Sequence, residues 1–401
     1  MNRHVSFRAW RGDELGAGTH VGTVAGPDGL AYAETAGCRH LADPAGDGTA
    51  RDYTWTSWLS PAVSPGHPFT ALVPSWNART PDGSWLEVEA RTSEDGVHWS
   101  RWWVLGRWAE TDTEIRPASV PGQDGADARV SVDELLAREG TAWSAFQLRV
   151  TLLRPSASTA TPTVGLVGAV VSSGTETATG DPGGAAHGVE LDVPAYSQQL
   201  HRGEYPEWNA GGEAWCSPTS VSMVLGTWGL GPSPDDYAWV ESGCPDPFVD
   251  HAVRHSFDHA YGAGNWSFNT AYAGLHGAEA FVTRLRSLAE AKRFVAAGIP
   301  LVASVSFDAD ELPAAGYATA GHLLVVVGFD AAGDVVCHDP ASHERPSNDE
   351  VRVVYPRGAF EKVWMRSGGL VYVVHPADVP LPPPSPRGQI LRDTPREWLR
   401  K

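Results

Sequence analysis

The stretch "GGEAWCSPTSVSMVLGTWG", residues 211–229, sets a single cysteine at the front of an apolar run. Val221, Val224, Leu225 and Trp228 recur at helical spacing, so the run reads as a helix with one buried stripe. Pro218 fits a first helical turn, where its missing N–H costs nothing. Cys216 therefore stands at the helix N-terminus, among unpaired N–H groups and the positive end of the dipole. That setting, with an imidazolium beside it, brings a thiol pKa from about 8.5 down to roughly 3.5–7.5. A free cysteine is equally at home packed in a core, so only a base within reach separates nucleophile from packing residue.

The segment "GHLLVVVGFDAAGDVVCHDPA", residues 321–341, supplies a candidate. It reads as strands 322–329 and 334–339 joined by the turn Asp-Ala-Ala-Gly. Pairing Phe329 with Asp334 sets Asp339 opposite Leu324, and His322 lies two residues further along on the same face. At that diagonal position the two side chains meet, as a base and its orienting carboxylate must. A one-residue slip would part them. Upstream, "VPAYSQQLHRGEYPEW" (193–208) carries Gln198 and Gln199. Either amide qualifies, beside the Cys216 N–H, as an oxyanion donor.

The blocks "VPAYSQ", "EAWCSPTSVSMVL", "GHLLVVVGFD" and "VVCHDPA" resemble the double-glycine leader peptidase-like branch of papain-fold cysteine peptidases, including stand-alone actinobacterial proteins. The resemblance covers about 190–375. It implies Gln198 in the oxyanion hole, Cys216 as nucleophile, His322 as general base and then acid, and Asp339 orienting the imidazole. The family's frequent Cys-Gly-Pro is Cys216-Ser217-Pro218 here, which sets added bulk beside the site. With neither a membrane span nor a nucleotide-binding motif in the chain, the transporter-linked Gly-Gly substrate is not carried over.

A length of 401 residues predicts two domains. From about 50 to 172, Trp- and Val-rich alternation broken by "PDG", "SEDG" and "PGQDG" reads as a β-sandwich, jelly-roll-like. In its run 85–91, Leu86, Val88 and Ala90 are taken as the core face. The expected division is a sandwich over 1–175, a Gly/Ser/Thr/Pro-rich linker over 176–188, a papain-like α+β domain over 189–377 and a Pro-rich solvated tail over 378–401. Helices are expected at 216–228, 247–261 and 278–297; strands at 300–307, 322–329, 334–339, 350–355 and 369–375. The stretch 264–277 reads as an aromatic loop.

A net charge of −18 argues against nucleic acid and anionic membrane surfaces as partners. The four scattered cysteines, Cys38, Cys216, Cys244 and Cys337, give neither a disulfide framework nor a metal motif. His251, His255 and His259 span about 12 Å along a helix, too far for one ion, and read as a helix face. No cofactor or metal is required. The first residues show no apolar signal region, which points to the cytoplasm, whereas the resemblance favours secretion.

The leading expectation is therefore a cysteine peptidase or amide hydrolase acting on a peptide or protein. A transglutaminase-like or amidase-like acyl transferase uses the same groups. A non-catalytic protein binding peptide or cell-wall glycan is the alternative from another class. The sandwich, with ten of the 17 tryptophans and the adjacent pair Trp102 and Trp103, is the candidate glycan module.

Overall fold

The computed structural model describes residues 3–43, 45–46, 48–174 and 186–383, together with the backbone of 389–391. Most of the expected linker therefore lies outside the described residues. An all-β region comes first, followed by an α+β region. Two largely antiparallel sheets face each other in the first. One is built around the strands Ala71–Arg79, Thr163–Ser173 and His4–Arg11, the other around Ala50–Leu59, Ala145–Pro155 and Trp85–Ser93. Leu86, Val88 and Ala90 are buried between them, as their alternation requires. The tryptophans account for much of this interior: Trp10, Trp58, Trp76, Trp103, Trp108 and Trp143 are all buried. Trp102, on the opposite face from Trp103, has the guanidinium groups of Arg91 and Arg149 over its ring at 4.7 and 4.3 Å.

The second region has one antiparallel sheet in the order Ala278–Arg284, Leu370–Pro376, Leu301–Phe307, Thr319–Phe329, Val335–His338, Arg352–Tyr355. Packed around it are α1 (Cys216–Thr227), α2 (Pro247–Ser256), α3 (Trp266–Leu275), α4 (Leu288–Ala296) and α5 (Arg357–Arg366). No helix among the described residues is long and apolar enough to cross a membrane.

Three expectations are corrected. The run 278–297 is not one helix: Ala278–Arg284 is a strand, and α4 begins only after Ser287. Its Ala- and Arg-rich composition favours helix, but Phe281, Val282 and Thr283 suit a pleated strand, and pairing with Leu370–Pro376 overrides propensity. The aromatic loop 264–277 is α3, whose first turn is capped by Asn265 Oδ1 accepting from the Phe268 N–H at 3.0 Å. The tail is not wholly free, because 389–391 adds a short parallel strand beside His4–Arg11.

Nor are the two regions separate bodies, since one apolar core runs through both. The outward N–H groups of the sheet-edge strand Ala278–Arg284 are taken up by side chains of the sandwich strand Ala71–Arg79. Ser75 Oγ accepts from Val282 N–H at 2.9 Å, and Asn77 Oδ1 accepts from Ala280 N–H at 3.1 Å. Asn77 Nδ2 returns a bond to Ala280 O at 2.9 Å. Gly274 of α3 permits this approach, for a Cβ there would fall 2.7 Å from Asn77 Cβ. An edge that invites foreign pairing is closed by the neighbouring region. Asn77→Ala strands the Ala280 N–H and C=O in the interior and is expected to lower stability by about 2–4 kcal/mol. Chemical denaturation checks this, and with a shared core the wild type should show one transition, not two.

Candidate active site

Helix α1 begins at Cys216, with Pro218 in its first turn and Val221, Val224 and Leu225 buried beneath. It lies on the strand Thr319–Phe329, and Ser220 Oγ donates to Leu323 O at 3.1 Å. That contact fixes the first turn of α1 beside His322. Ser217 does not crowd the site. Its hydroxyl turns into the core and shares a hydrogen bond with Tyr372 Oη at 2.9 Å.

The turn of the His322 hairpin differs from expectation by one residue, because Phe329 pairs with Val335 rather than Asp334. A β-bulge between Val326 and Gly328 cancels the difference. Beyond it Val326 pairs with Cys337 and Val325 with His338, which sets Leu324 opposite Asp339. His322 Nε2 and Asp339 Oδ1 are 2.8 Å apart, both buried. The other ring nitrogen, Nδ1, is left for the Cys216 sulfur, whose charge acts on the ring.

Asp339 is surrounded by donors that no short motif announces. Tyr355 Oη donates to Oδ2 at 2.6 Å, Tyr317 Oη at 2.9 Å, and the Ala341 N–H to Oδ1 at 3.0 Å. Tyr317 also sets its ring edge-on to His322 at 5.5 Å. Burial pushes the Asp339 carboxyl up, but the His322 charge and these hydrogen bonds hold it below the usual range. For His322 burial opposes the charged form, yet Asp339 and Cys216 outweigh it and raise the imidazole above its ordinary value. For Cys216 burial raises the thiol, and the charge and hydrogen bond of His322 bring it below. The set favours a thiolate beside an imidazolium.

Gln198 opens a single helical turn, Gln198–His201, and is buried. Its Nε2 donates to Glu213 O at 2.7 Å, leaving its second N–H unused by this bond, and its backbone N–H donates to Pro340 O at 3.0 Å. Gln198, Cys216 and His322 line one open cavity of about 900 Å³, and Gln199 borders it too. The sandwich shares this cavity through Thr70, Ala71, Glu134, Leu136 and Ser172.

Of the three histidines expected on one helix face, the two on α2 have ring partners in the fold. His251 Nδ1 meets Tyr272 Oη at 3.0 Å, and His255 Nδ1 meets Glu110 O at 2.6 Å. His259 lies beyond the end of α2 at Ser256. Cys38 is exposed, Cys244 half-buried and Cys337 buried, all free thiols.

Two family models match the chain. One, described as Peptidase C39 N-terminal domain, matches residues 6–172; the other, described as Peptidase_C39 like family, matches residues 190–372. A comparison with curated proteins finds no match. The fold and the second of these matches define a cysteine peptidase, a hydrolase of peptide or protein substrates. The chain belongs to the C39-like peptidase family and carries that family's actinobacterial-type N-terminal domain ahead of the peptidase domain.

Proposed function

We propose that peptide-bond cleavage runs through Cys216, His322 and Asp339, with Gln198 completing the oxyanion hole. The observation that carries this reading is the buried His322–Asp339 pair, its charge acting on Cys216 at the head of α1, beside a cavity of about 900 Å³ that Gln198, Cys216 and His322 line. The Cys216 thiolate attacks the scissile carbonyl carbon and forms the C–S bond. The oxyanion takes hydrogen bonds from the Cys216 backbone N–H and the second Gln198 Nε2 N–H. His322, held by Asp339 with Nδ1 toward the sulfur, gives its proton to the leaving amine as the C–N bond breaks. A water deprotonated by the same ring then hydrolyses the thioester and restores the thiolate.

The sandwich, on this reading, is a wall of the substrate cleft and not a remote glycan module. Its Thr70, Glu134 and Leu136 border the cavity, whereas the ring of Trp102 lies under two arginines.

The test is the rate of iodoacetamide labelling of each cysteine between pH 5 and 9, read by peptide mass. A lowered thiol pKa and a raised imidazole pKa widen the pH range in which thiolate and imidazolium coexist, so Cys216 should label faster than the other cysteines at pH 6. His322→Ala removes the opposing charge and leaves the burial, so the thiol pKa rises and labelling moves to higher pH. A Cys216 that labels no faster than Cys38 at pH 6 would overturn the proposal.

A further inference from the structure

A second cluster of ionisable side chains lies outside the cleft. His201 ends the turn that begins with Gln198, Glu204 follows it, and Asp250 projects from α2. One ligand atom from each lies within 4.8 Å of the others. His201 Nδ1 is 2.9 Å from Glu204 Oε2 and 3.3 Å from Asp250 Oδ2. The side chains of His201 and Asp250 are 0% exposed, and that of Glu204 is 21% exposed. Neither oxygen of Asp250 has a hydrogen-bond partner among the described residues, nor does His201 Nε2. The surroundings are apolar: Trp208, Trp215, Val249 and Val253 form one hydrophobic cluster there, and the Trp215 ring lies 5.7 Å from that of His201.

A fully buried carboxylate without a hydrogen bond costs several kcal/mol unless a cation answers it. The single proton of a neutral imidazole cannot do so. Placed on Nδ1 it serves one carboxylate at a time, and placed on Nε2 it leaves three lone pairs converging on one point. Tetrahedral metal bonds of about 2.0–2.2 Å set ligand-to-ligand edges of roughly 3.3–3.6 Å, which the 3.3 Å separation of His201 Nδ1 and Asp250 Oδ2 meets and the 2.9 Å hydrogen bond to Glu204 reaches by opening a few tenths of an ångström. We propose that His201 Nδ1, Glu204 and Asp250 bind a divalent metal ion of the zinc class. An imidazole nitrogen with two carboxylates suits zinc better than the all-oxygen sets of calcium or magnesium. Glu204 is the partly exposed member of the set, and water reaching it would complete the coordination. The ion ties the turn Gln198–His201 to α2, three residues from Gln198. It is a positioning element and takes no part in bond cleavage.

The experiment uses the full chain, stripped with chelator, dialysed, and titrated with zinc. Bound metal is counted by mass spectrometry and thermal stability is recorded in parallel. About one zinc per chain is expected, with a rise in Tm on addition. Asp250→Asn and Glu204→Gln should each weaken binding by more than the roughly 10–100-fold that changes outside a ligand shell cost. Cys216→Ala should leave the zinc count unchanged. If Asp250→Asn does not fold, Glu204→Gln, altering a partly exposed side chain, carries the comparison. Two results overturn the proposal: no zinc retained and no Tm change, which leaves His201 as an imidazolium between two carboxylates, or zinc lost with Cys216→Ala, which puts the ion on the cleft.

Discussion

Cys216→Ala is expected to reduce peptide hydrolysis by about 10⁴- to 10⁶-fold, the range in which removing a nucleophile disables a coupled catalytic set. The loss should fall on kcat, because the cleft walls from both regions remain in place to bind the peptide. The fold should survive, since the substitution removes one sulfur at the mouth of a cavity and leaves the buried stripe of α1 untouched. Single-turnover cleavage of a peptide library, with a thermal melt alongside, measures both. Residual activity within tenfold of wild type, with an unchanged melt, would place the nucleophile elsewhere.

Asp339→Ala is the larger structural change. It leaves the Tyr355 and Tyr317 hydroxyls and His322 Nε2 facing a buried void where a carboxylate accepted from all three. Removing one partner of a buried ionic network costs about 3–5 kcal/mol, which for a protein of this size lowers Tm by roughly 4–6 °C. Asp339→Asn separates stability from electrostatics. Its Oδ1 can still accept and its volume is kept, so most of the stability should return. The imidazole, however, loses the negative charge that raises it, and the labelling of Cys216 at pH 6 should slow. If Asp339→Asn labels as fast as wild type at pH 6, the charge of Asp339 has no part in forming the ion pair.

The site shows how far reading along the chain reaches. Cys216 at the head of α1 followed from local features, a proline confined to a first turn and an apolar stripe at helical spacing. The approach of His322 and Asp339 follows from hairpin register: the turn is one residue longer than its sequence suggests, and the bulge near Val327 restores the alignment. Tyr317 and Tyr355 were not legible. Each lies 16 or more residues from Asp339, on a loop and on another strand, and meets it only after the sheet forms.

By itself the sequence determined the elements whose signals are short-range: the alternating strands of the sandwich, helix α1, and the hairpin from His322 to Asp339. Periodicity and turn chemistry act over a few residues, and they suffice wherever one face is plainly buried. Only the tertiary structure decided that 278–284 is a strand, that its edge is closed by Ser75 and Asn77, and that the sandwich forms part of the cleft. It alone gathered His201, Glu204 and Asp250. In each case the deciding energy is a contact between residues far apart in the chain, and local propensity gives way to it.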